Sequence, residues 1–251
     1  MTDRKFSGDK KLPMKSLLAD AEKRFITANV NKFPKWIEGY HLTLLTIPWT
    51  ISVVLFGWLA ASKSVHWLWG SSLMLFLQWF TDSFDGALGR LRDTGIPKWG
   101  FFMDHFLDYL FMSSVFIGWT FFFEGINNLY VWFMVICMGA LMVNSFLSFG
   151  ATGEFKITYL RTGPTEMRIF AVVINCAIIF FGVEWLENIL LYVLIGFAAG
   201  VSIVVFRTQK YVWTVDMEDV KNRKAKEMPK KLDLEDIASG NKIGNKIGEK
   251  K

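Results

Sequence analysis

The chain has 251 residues, of which 52% are hydrophobic and 16% aromatic, and its mean hydropathy is +0.30. This composition excludes an ordinary soluble domain and is typical of a polytopic membrane protein with polar tails. The net charge of +5 and the pI of about 9.1 predict a basic surface against anionic lipid headgroups, and we expect no nucleic-acid partner.

The N-terminal arm, residues 1–40, is highly charged but carries apolar residues at helical spacing. These residues are Met14, Leu17, Leu18, Ala21 and Phe25. The pattern predicts an amphipathic helix that lies in the cytoplasmic membrane interface. Such a helix can be an anchor and nothing more, and the sequence leaves that interpretation open. We expect no signal peptide, because the first apolar run is already long enough to span a membrane.

Six windows of about 20 mostly apolar residues follow, each long enough to cross about 30 Å of hydrocarbon. Since the windows lack the alternation of barrel strands, we predict an all-α integral membrane protein whose six transmembrane helices form one domain, residues 41–206. The predicted spans are His41–Ala61, Val65–Gly86, Phe101–Phe123, Leu129–Phe149, Ile169–Trp185 and Ile189–Phe206.

The distribution of basic residues predicts the orientation of the chain. Of the 28 lysines and arginines, all except Lys63 lie in the N-terminal arm, in the loops after the second and fourth spans, or in the tail. By the positive-inside rule, both termini are expected to be cytoplasmic. The tail, residues 207–251, contains Lys242-Ile243-Gly244 and its repeat at residues 246–248, which predicts a disordered end.

The cysteines and histidines do not have the spacing of a disulfide framework or of a metal site. Cys137 and Cys176 fall inside predicted spans, and His41, His66 and His105 are scattered along the chain. We therefore expect neither a disulfide framework nor a zinc or histidine-based metal site.

Four aspartates lie where the second and third predicted spans meet the cytoplasmic boundary. Asp82 and Asp85 end one helix, Asp104 and Asp108 begin the next, and the short loop between the helices brings them together. Spacings of three and four residues place each pair on one helix face. Because four converging carboxylates repel one another, we expect cations between them, and oxygen ligands favour Mg²⁺ or Mn²⁺, with Ca²⁺ as an alternative. Two such ions would suit phosphoryl chemistry.

Three glycines and an arginine share these helix faces. Gly86, Gly89 and Gly100 remove side chains beside the carboxylates, which would make room for a bulky ligand. Close helix packing is the alternative explanation for each glycine. Arg90 is placed to bind a diphosphate through its forked guanidinium, or it is only a basic residue that flanks the span.

Together these residues form the string Asp82-x2-Asp85-Gly86-x2-Gly89-Arg90-x9-Gly100-x3-Asp104-x3-Asp108. The string closely resembles the signature of the CDP-alcohol phosphotransferase (CDP-alcohol phosphatidyltransferase) family, D-x2-D-G-x2-A-R-x8/9-G-x3-D-x3-D. Gly89 departs from the signature, since the family usually has alanine there. The six-span layout and the amphipathic N-terminal helix extend the resemblance to most of the chain.

The resemblance implies a membrane enzyme, usually a homodimer, that passes the phosphoalcohol half of a CDP-linked donor to a hydroxyl acceptor and releases CMP in phospholipid biosynthesis. By position, Asp82, Asp85 and Asp104 are implied metal ligands, and Asp108 is the implied general base, which also contacts a metal. The implied cofactor is Mg²⁺ or Mn²⁺, as two ions. The implied nucleotide-binding residues are Asp82, Asp85, Gly86, Gly89, Arg90 and Gly100.

The sequence constrains the substrates less than the reaction. In the loop of residues 151–168, Lys156, Arg161 and Arg168 predict binding of a phosphorylated acceptor such as glycerol phosphate or inositol phosphate, although the positive-inside rule explains them equally well. We expect CDP-diacylglycerol as the donor and a small polar alcohol as the acceptor. The alternative is CDP-choline or CDP-ethanolamine as the donor and diacylglycerol as the acceptor.

Two other classes of function remain open. Intramembrane carboxylates also mark ion and proton transporters, and a divalent-cation transporter would use the same aspartates without needing Arg90 or the glycines. An inactive scaffold is the other class, but the complete set of four aspartates argues against it.

Overall fold

The structure, a computed structural model, describes residues 18–93, 96–153 and 163–247, with side chains up to residue 225. Within these ranges the backbone forms α-helices, short 3₁₀ turns and no strand, which confirms the all-α prediction. The helices are α1 (Ala19–Asn29), α2 (Gly39–Leu44), α3 (Thr46–Ser62), α4 (Leu68–Arg92), α5 (Pro97–Thr120), α6 (Gly125–Thr152), α7 (Pro164–Phe181) and α8 (Glu184–Ile247).

Four helical segments of the described ranges are long and apolar enough to cross a membrane, as expected for a multi-pass protein. They are Gly39–Ser62, Gly125–Thr152, Pro164–Phe181 and Glu184–Ala225. The aspartate-bearing α4 and α5 are outside this set, because their polar side chains lower the mean hydropathy. With 25 and 24 residues they are nevertheless long enough to cross about 30 Å of hydrocarbon. The count of six spans stays a prediction.

The main core lies between α3, α4 and α5, with α6 packed against α5 and α7 against α4. Leu75, Phe111 and Val115 are among its fully buried side chains. A polar link joins three of these helices, because Asn175 on α7 accepts a hydrogen bond from Trp119 Nε1 at 2.9 Å and donates one to Ser72 Oγ at 3.2 Å. The register between α4, α5 and α7 is therefore fixed by a directional contact as well as by apolar packing.

A smaller apolar cluster lies at the end of α4 that carries the aspartates. Its buried members are Val30, Leu42, Phe84 and Leu88. Arg92, the last residue of α4, donates hydrogen bonds to backbone carbonyls of residues 33–37, the segment that precedes α2. These contacts hold the start of α2 beside the aspartate end of α4.

The last helix continues beyond the predicted sixth span. That span was expected to end at Phe206, whereas α8 runs to Ile247. Many residues after Phe206 are lysine, glutamate and other good helix formers, so the helix does not need a membrane to continue. The disordered end of the tail stays a prediction, and residues 248–251 lie outside the described residues. The chain divides into two compact units, residues 1–205 and 206–251.

Candidate active site

Three of the four predicted carboxylates come together at the junction of α4 and α5. Asp82, Asp104 and Asp108 each offer one oxygen, and these oxygens lie within 4.8 Å of one another. The connection between the helices spans only residues 93–96, so the start of α5 lies beside the end of α4. The spacing of four residues places Asp104 and Asp108 on one face of α5, where both side chains meet Asp82.

A guanidinium from a third helix contacts two of these carboxylates. Arg168 Nη2 on α7 donates to Asp82 Oδ2 and to Asp108 Oδ1, each at 2.9 Å, and only 3% of the residue is exposed. Gln78, fully buried one turn before Asp82, donates from Nε2 to the same Oδ1 of Asp108 at 2.8 Å. Because one guanidinium faces three carboxylates, the cluster keeps an excess of negative charge that favours further cations.

Asp85 lies apart from this group and has its own partners. Thr43 on α2 donates from Oγ1 to Asp85 Oδ2 at 2.6 Å, and the backbone N–H of Gly86 donates to Asp85 Oδ1. Three residues turn a helix by about 300°, so the Asp85 side chain is displaced by about 60° around α4 from Asp82. Asp85 is therefore outside the close group of three carboxylates, although it lies on the same end of α4.

An imidazole borders the cluster on the α5 side. His105 is buried, and its Nδ1 lies 3.1 Å from Asp104 Oδ2. The ring is held between Phe101 and Phe146, with ring centroids 4.6 and 6.0 Å away. This packing fixes the imidazole next to the carboxylate, so His105 limits the orientations open to Asp104.

The glycines of the signature differ in their surroundings. A Cβ added to Gly86 would lie 3.2 Å from Arg90 Nη1, so the guanidinium covers this glycine. A Cβ on Gly100 would meet no atom within 4 Å. Gly39 of α2 packs closely against the backbone of Gly89. A Cβ added to Gly39 would lie 3.3 Å from the Gly89 nitrogen. The structure therefore has space beside Gly100 and close helix packing at Gly89.

Comparison with known proteins places this site in a family. The model of the family described as CDP-alcohol phosphatidyltransferase matches residues 41–208, which include all four aspartates and Arg168. The chain belongs to the CDP-alcohol phosphatidyltransferase family. Members transfer phosphate groups from CDP-alcohol donors to alcohol acceptors and are generally dependent on divalent metals. The match does not favour a transporter or a scaffold.

A curated relative of this chain is a phosphatidylinositol phosphate synthase from Cutibacterium acnes (strain DSM 16379 / KPA171202). The two are 30% identical over 99 residues, which cover 39% of this chain and 46% of the relative. The match thus spans about half of the relative's length.

Of the three residues predicted to bind the acceptor, the structure places one. Arg168 contacts the carboxylate cluster, while Lys156 and Arg161 lie outside the described residues. Arg168 Nε is buried and has no hydrogen-bond partner among the described residues. The buried guanidinium of Arg168 thus has an N–H donor that is still available beside the carboxylate cluster.

Gln78 and Thr43 contact the aspartates but are not among the site residues that the sequence predicts. Gln78 lies one turn before Asp82 in an otherwise apolar run, and this spacing could have placed it on the aspartate face. Thr43 gives no comparable signal, because it lies 42 residues before Asp85 and meets it only through the packing of α2 against α4.

Proposed function

We propose that this CDP-alcohol phosphatidyltransferase moves the phosphatidyl group of CDP-diacylglycerol to a hydroxyl of a small polar acceptor and releases CMP, in phospholipid biosynthesis. The observation that carries the proposal is the meeting of Asp82, Asp104 and Asp108 with Arg168 from a third helix. Similarity to a phosphatidylinositol phosphate synthase supports a phosphatidyl donor and a phosphorylated acceptor.

The carboxylate cluster fits a hard divalent cation. Mg²⁺ and Mn²⁺ prefer oxygen ligands, and three carboxylate oxygens within 4.8 Å of one another are near enough to share an ion. We assign two Mg²⁺ or Mn²⁺ ions to Asp82, Asp85, Asp104 and Asp108. Bound there, such ions neutralise the donor diphosphate and the charge that develops on the leaving CMP.

Asp108 is assigned as the general base. Gln78 and Arg168 both donate to its Oδ1, whereas Oδ2 makes no hydrogen bond within the described residues. These contacts orient the carboxylate and leave Oδ2 to take the proton of the acceptor hydroxyl. The acceptor oxygen then bonds to the phosphorus that carries the donor alcohol, and the bond from that phosphorus to the CMP oxygen breaks with its electron pair going to CMP.

The nucleotide is assigned to the exposed side of α4 and the start of α5. Gly86 and Arg90 are exposed, and the Arg90 guanidinium above Gly86 is placed to bind a phosphate of the nucleotide. The space beside Gly100 lies on the opposite helix. Asp82, Asp85 and Gly89 complete the assigned nucleotide site.

The acceptor is assigned to the side of the cluster that Arg168 occupies. An acceptor phosphate there would bond to donors of Arg168, whose Nε is available, and to Lys156 and Arg161. The hydroxyl of the same molecule would then lie near Asp108, which Arg168 already contacts. We place this site on the cytoplasmic side, where CMP leaves to water and the lipid tails remain in the bilayer, and we propose that the enzyme is a homodimer.

The test is CMP release by the purified protein in lipid nanodiscs. With CDP-diacylglycerol and Mg²⁺, we expect CMP to appear with inositol phosphate or glycerol phosphate, and chelation of the metal by EDTA should stop it. The matched control is Asp108→Asn. If CMP is released only from CDP-choline or CDP-ethanolamine with diacylglycerol as the acceptor, the lipid is the acceptor and the substrate assignment is reversed. Absence of CMP with every donor, together with metal flux into sealed vesicles, would contradict the proposal in favour of transport.

A further inference from the structure

One acidic residue of the N-terminal helix is directed at the transmembrane helices. Glu22 on α1 accepts three hydrogen bonds on Oε1: from Trp79 Nε1 at 2.9 Å, from Ser83 Oγ at 2.7 Å and from Thr165 Oγ1 at 3.3 Å. The Thr165 hydroxyl also lies 3.2 Å from its Oε2. A single carboxylate therefore joins α1 to both α4 and α7.

A second glutamate makes the reciprocal contact from α7. Glu166 accepts from the backbone N–H of Leu18 on Oε1 at 3.1 Å and from the N–H of Gly163 on Oε2 at 2.8 Å. It thus caps the start of its own helix and at the same time holds the residue that precedes α1. The starts of α1 and α7 are fixed to each other by two independent acidic side chains.

The partners of Glu22 are close in sequence to residues of the site. Ser83 follows Asp82 directly, and Thr165 lies three residues before Arg168, on the same face of α7. Asp82 and Arg168 are in turn paired with each other at 2.9 Å. Glu22 therefore bridges the same two helices as this ion pair, about one turn away from it.

An anchoring role alone does not explain this arrangement. A helix that only anchors the chain gains most from apolar residues on its membrane side and from charges that face water. Glu22 instead turns its charge towards the protein, which removes water from the carboxylate and is favourable only because several donors replace it. Aromatic packing of Phe25 on Trp79 and Phe84 holds α1 in the same position.

We propose that Glu22 is a positioning residue, which sets the distance between α4 and the start of α7 and so places Arg168 for the phosphorylated acceptor. The kinetic consequence rests on the proposed function, whereas the effect on the start of α7 does not. Glu22 contacts no assigned substrate-binding residue and acts through Ser83 and Thr165.

The experiment compares Glu22→Ala and Glu22→Gln with Asp20→Ala in nanodiscs. Asp20 is the matched control, because it lies in the same first turn of α1 and its loss removes the same charge from an exposed position. Two quantities are measured: backbone hydrogen exchange in the first two turns of α7, and the KM values of both substrates. Thr165→Val, alone and with Glu22→Ala, tests whether the two residues act together.

Glu22→Ala is expected to speed exchange at the start of α7 and to raise the acceptor KM about tenfold, with the CDP-diacylglycerol KM within about twofold of wild type. Glu22→Gln keeps one acceptor oxygen and should restore part of the loss. The double variant should lose no more than Glu22→Ala. Exchange equal to that of Asp20→Ala, or faster exchange with an unchanged acceptor KM, would overturn the proposal. If wild type releases no CMP from any donor, the proposed function fails, and the exchange comparison still decides whether Glu22 holds α7.

Discussion

Each aspartate of the signature has a different set of neighbours, although the signature treats the four alike. Asp82 and Asp108 share Arg168, Asp104 adjoins His105, and Asp85 is held by Thr43. A carboxylate held by an oriented donor presents its remaining oxygen in a defined direction. The four carboxylates are therefore oriented by different contacts, and only Asp108 is also assigned as the general base.

Replacement of Asp82, Asp85 or Asp104 by Asn is expected to abolish CMP release and weaken divalent-ion binding. Loss of one carboxylate removes a metal ligand while the helices keep their packing. The measurements are CMP release and Mn²⁺ binding, with circular dichroism to show that the helices remain. Release by Asp85→Asn at the wild-type rate would exclude Asp85, the residue outside the close group of three, from the metal site.

Asp108→Asn is expected to separate donor binding from proton removal. The amide keeps the size of the side chain but cannot take the acceptor proton, so single-turnover CMP release should slow by about 10²–10⁴. Binding of the CDP donor should stay near wild type. The two are measured on the same preparation. Fast release with donor bound would assign the proton to another group.

At the scale of the helices, α4 is the element on which the site is built. It packs against α1, α2, α3, α5 and α7, and one of its ends carries both the apolar cluster of Phe84 and Leu88 and the carboxylates. Burial of one face of this end on α2 leaves Asp82 facing α5 and α7. The same turns of α4 therefore bury apolar side chains on one face and present Asp82 on another.

Two glycines, Gly57 on α3 and Gly118 on α5, face each other where these helices pack. They differ in the space that an added Cβ would have. A Cβ on Gly57 would lie 2.5 Å from Gly118 Cα, whereas a Cβ on Gly118 would meet nothing closer than 3.4 Å. Gly57→Ala is therefore expected to destabilise the fold by about 1–3 kcal/mol, and Gly118→Ala by much less. Thermal unfolding in one detergent measures both. If both variants lost the same stability, the two helices would be able to move apart to accept the added methyl group.

The segment between α6 and α7, together with Arg168 in the first turns of α7, is expected to govern acceptor affinity. If Lys156, Arg161 and Arg168 bind an acceptor phosphate, Gln at each position should raise the acceptor KM and leave the donor KM nearly unchanged, since ground-state binding is lost. Steady-state kinetics with each substrate varied measures this. Equal effects on both substrates, or a change only in membrane orientation, would favour the positive-inside explanation.

At the scale of the whole molecule, the distribution of basic residues predicts the orientation in the membrane, and the predicted number of spans determines on which side each terminus is expected. The six predicted spans would place both termini on the same side, and by the positive-inside rule only Lys63 would then lie opposite the other basic residues. The long α8, by contrast, continues as a helix well past the apolar residues. The predicted orientation in the membrane therefore rests on the distribution of charge and not on the length of the helices.

Accessible-cysteine labelling tests this orientation. In a variant with Cys137 and Cys176 replaced by alanine, Ser64→Cys in the turn before α4 should react with a membrane-impermeant reagent only from the outer side. A cysteine at Ser202 within α8 should stay unlabelled, and tags on both termini should be reached only from the cytoplasm. Labelling of Ser64→Cys from the cytoplasm would contradict the predicted orientation, and termini reached from opposite sides would contradict the six-span count.

The sequence by itself determined the helical class, the position of the carboxylates and the family. These follow from local quantities: apolar runs of spanning length, and aspartates at spacings of three and four residues on consecutive helices. Only the tertiary structure decided which side chains meet. Thr43 reaches Asp85, Arg168 reaches Asp82 and Asp108, and Glu22 reaches Ser83 and Thr165, across separations of 42 to 143 residues. Such contacts depend on how helices pack and rotate against one another, and helical spacing in one segment carries no information about the face that a distant helix presents.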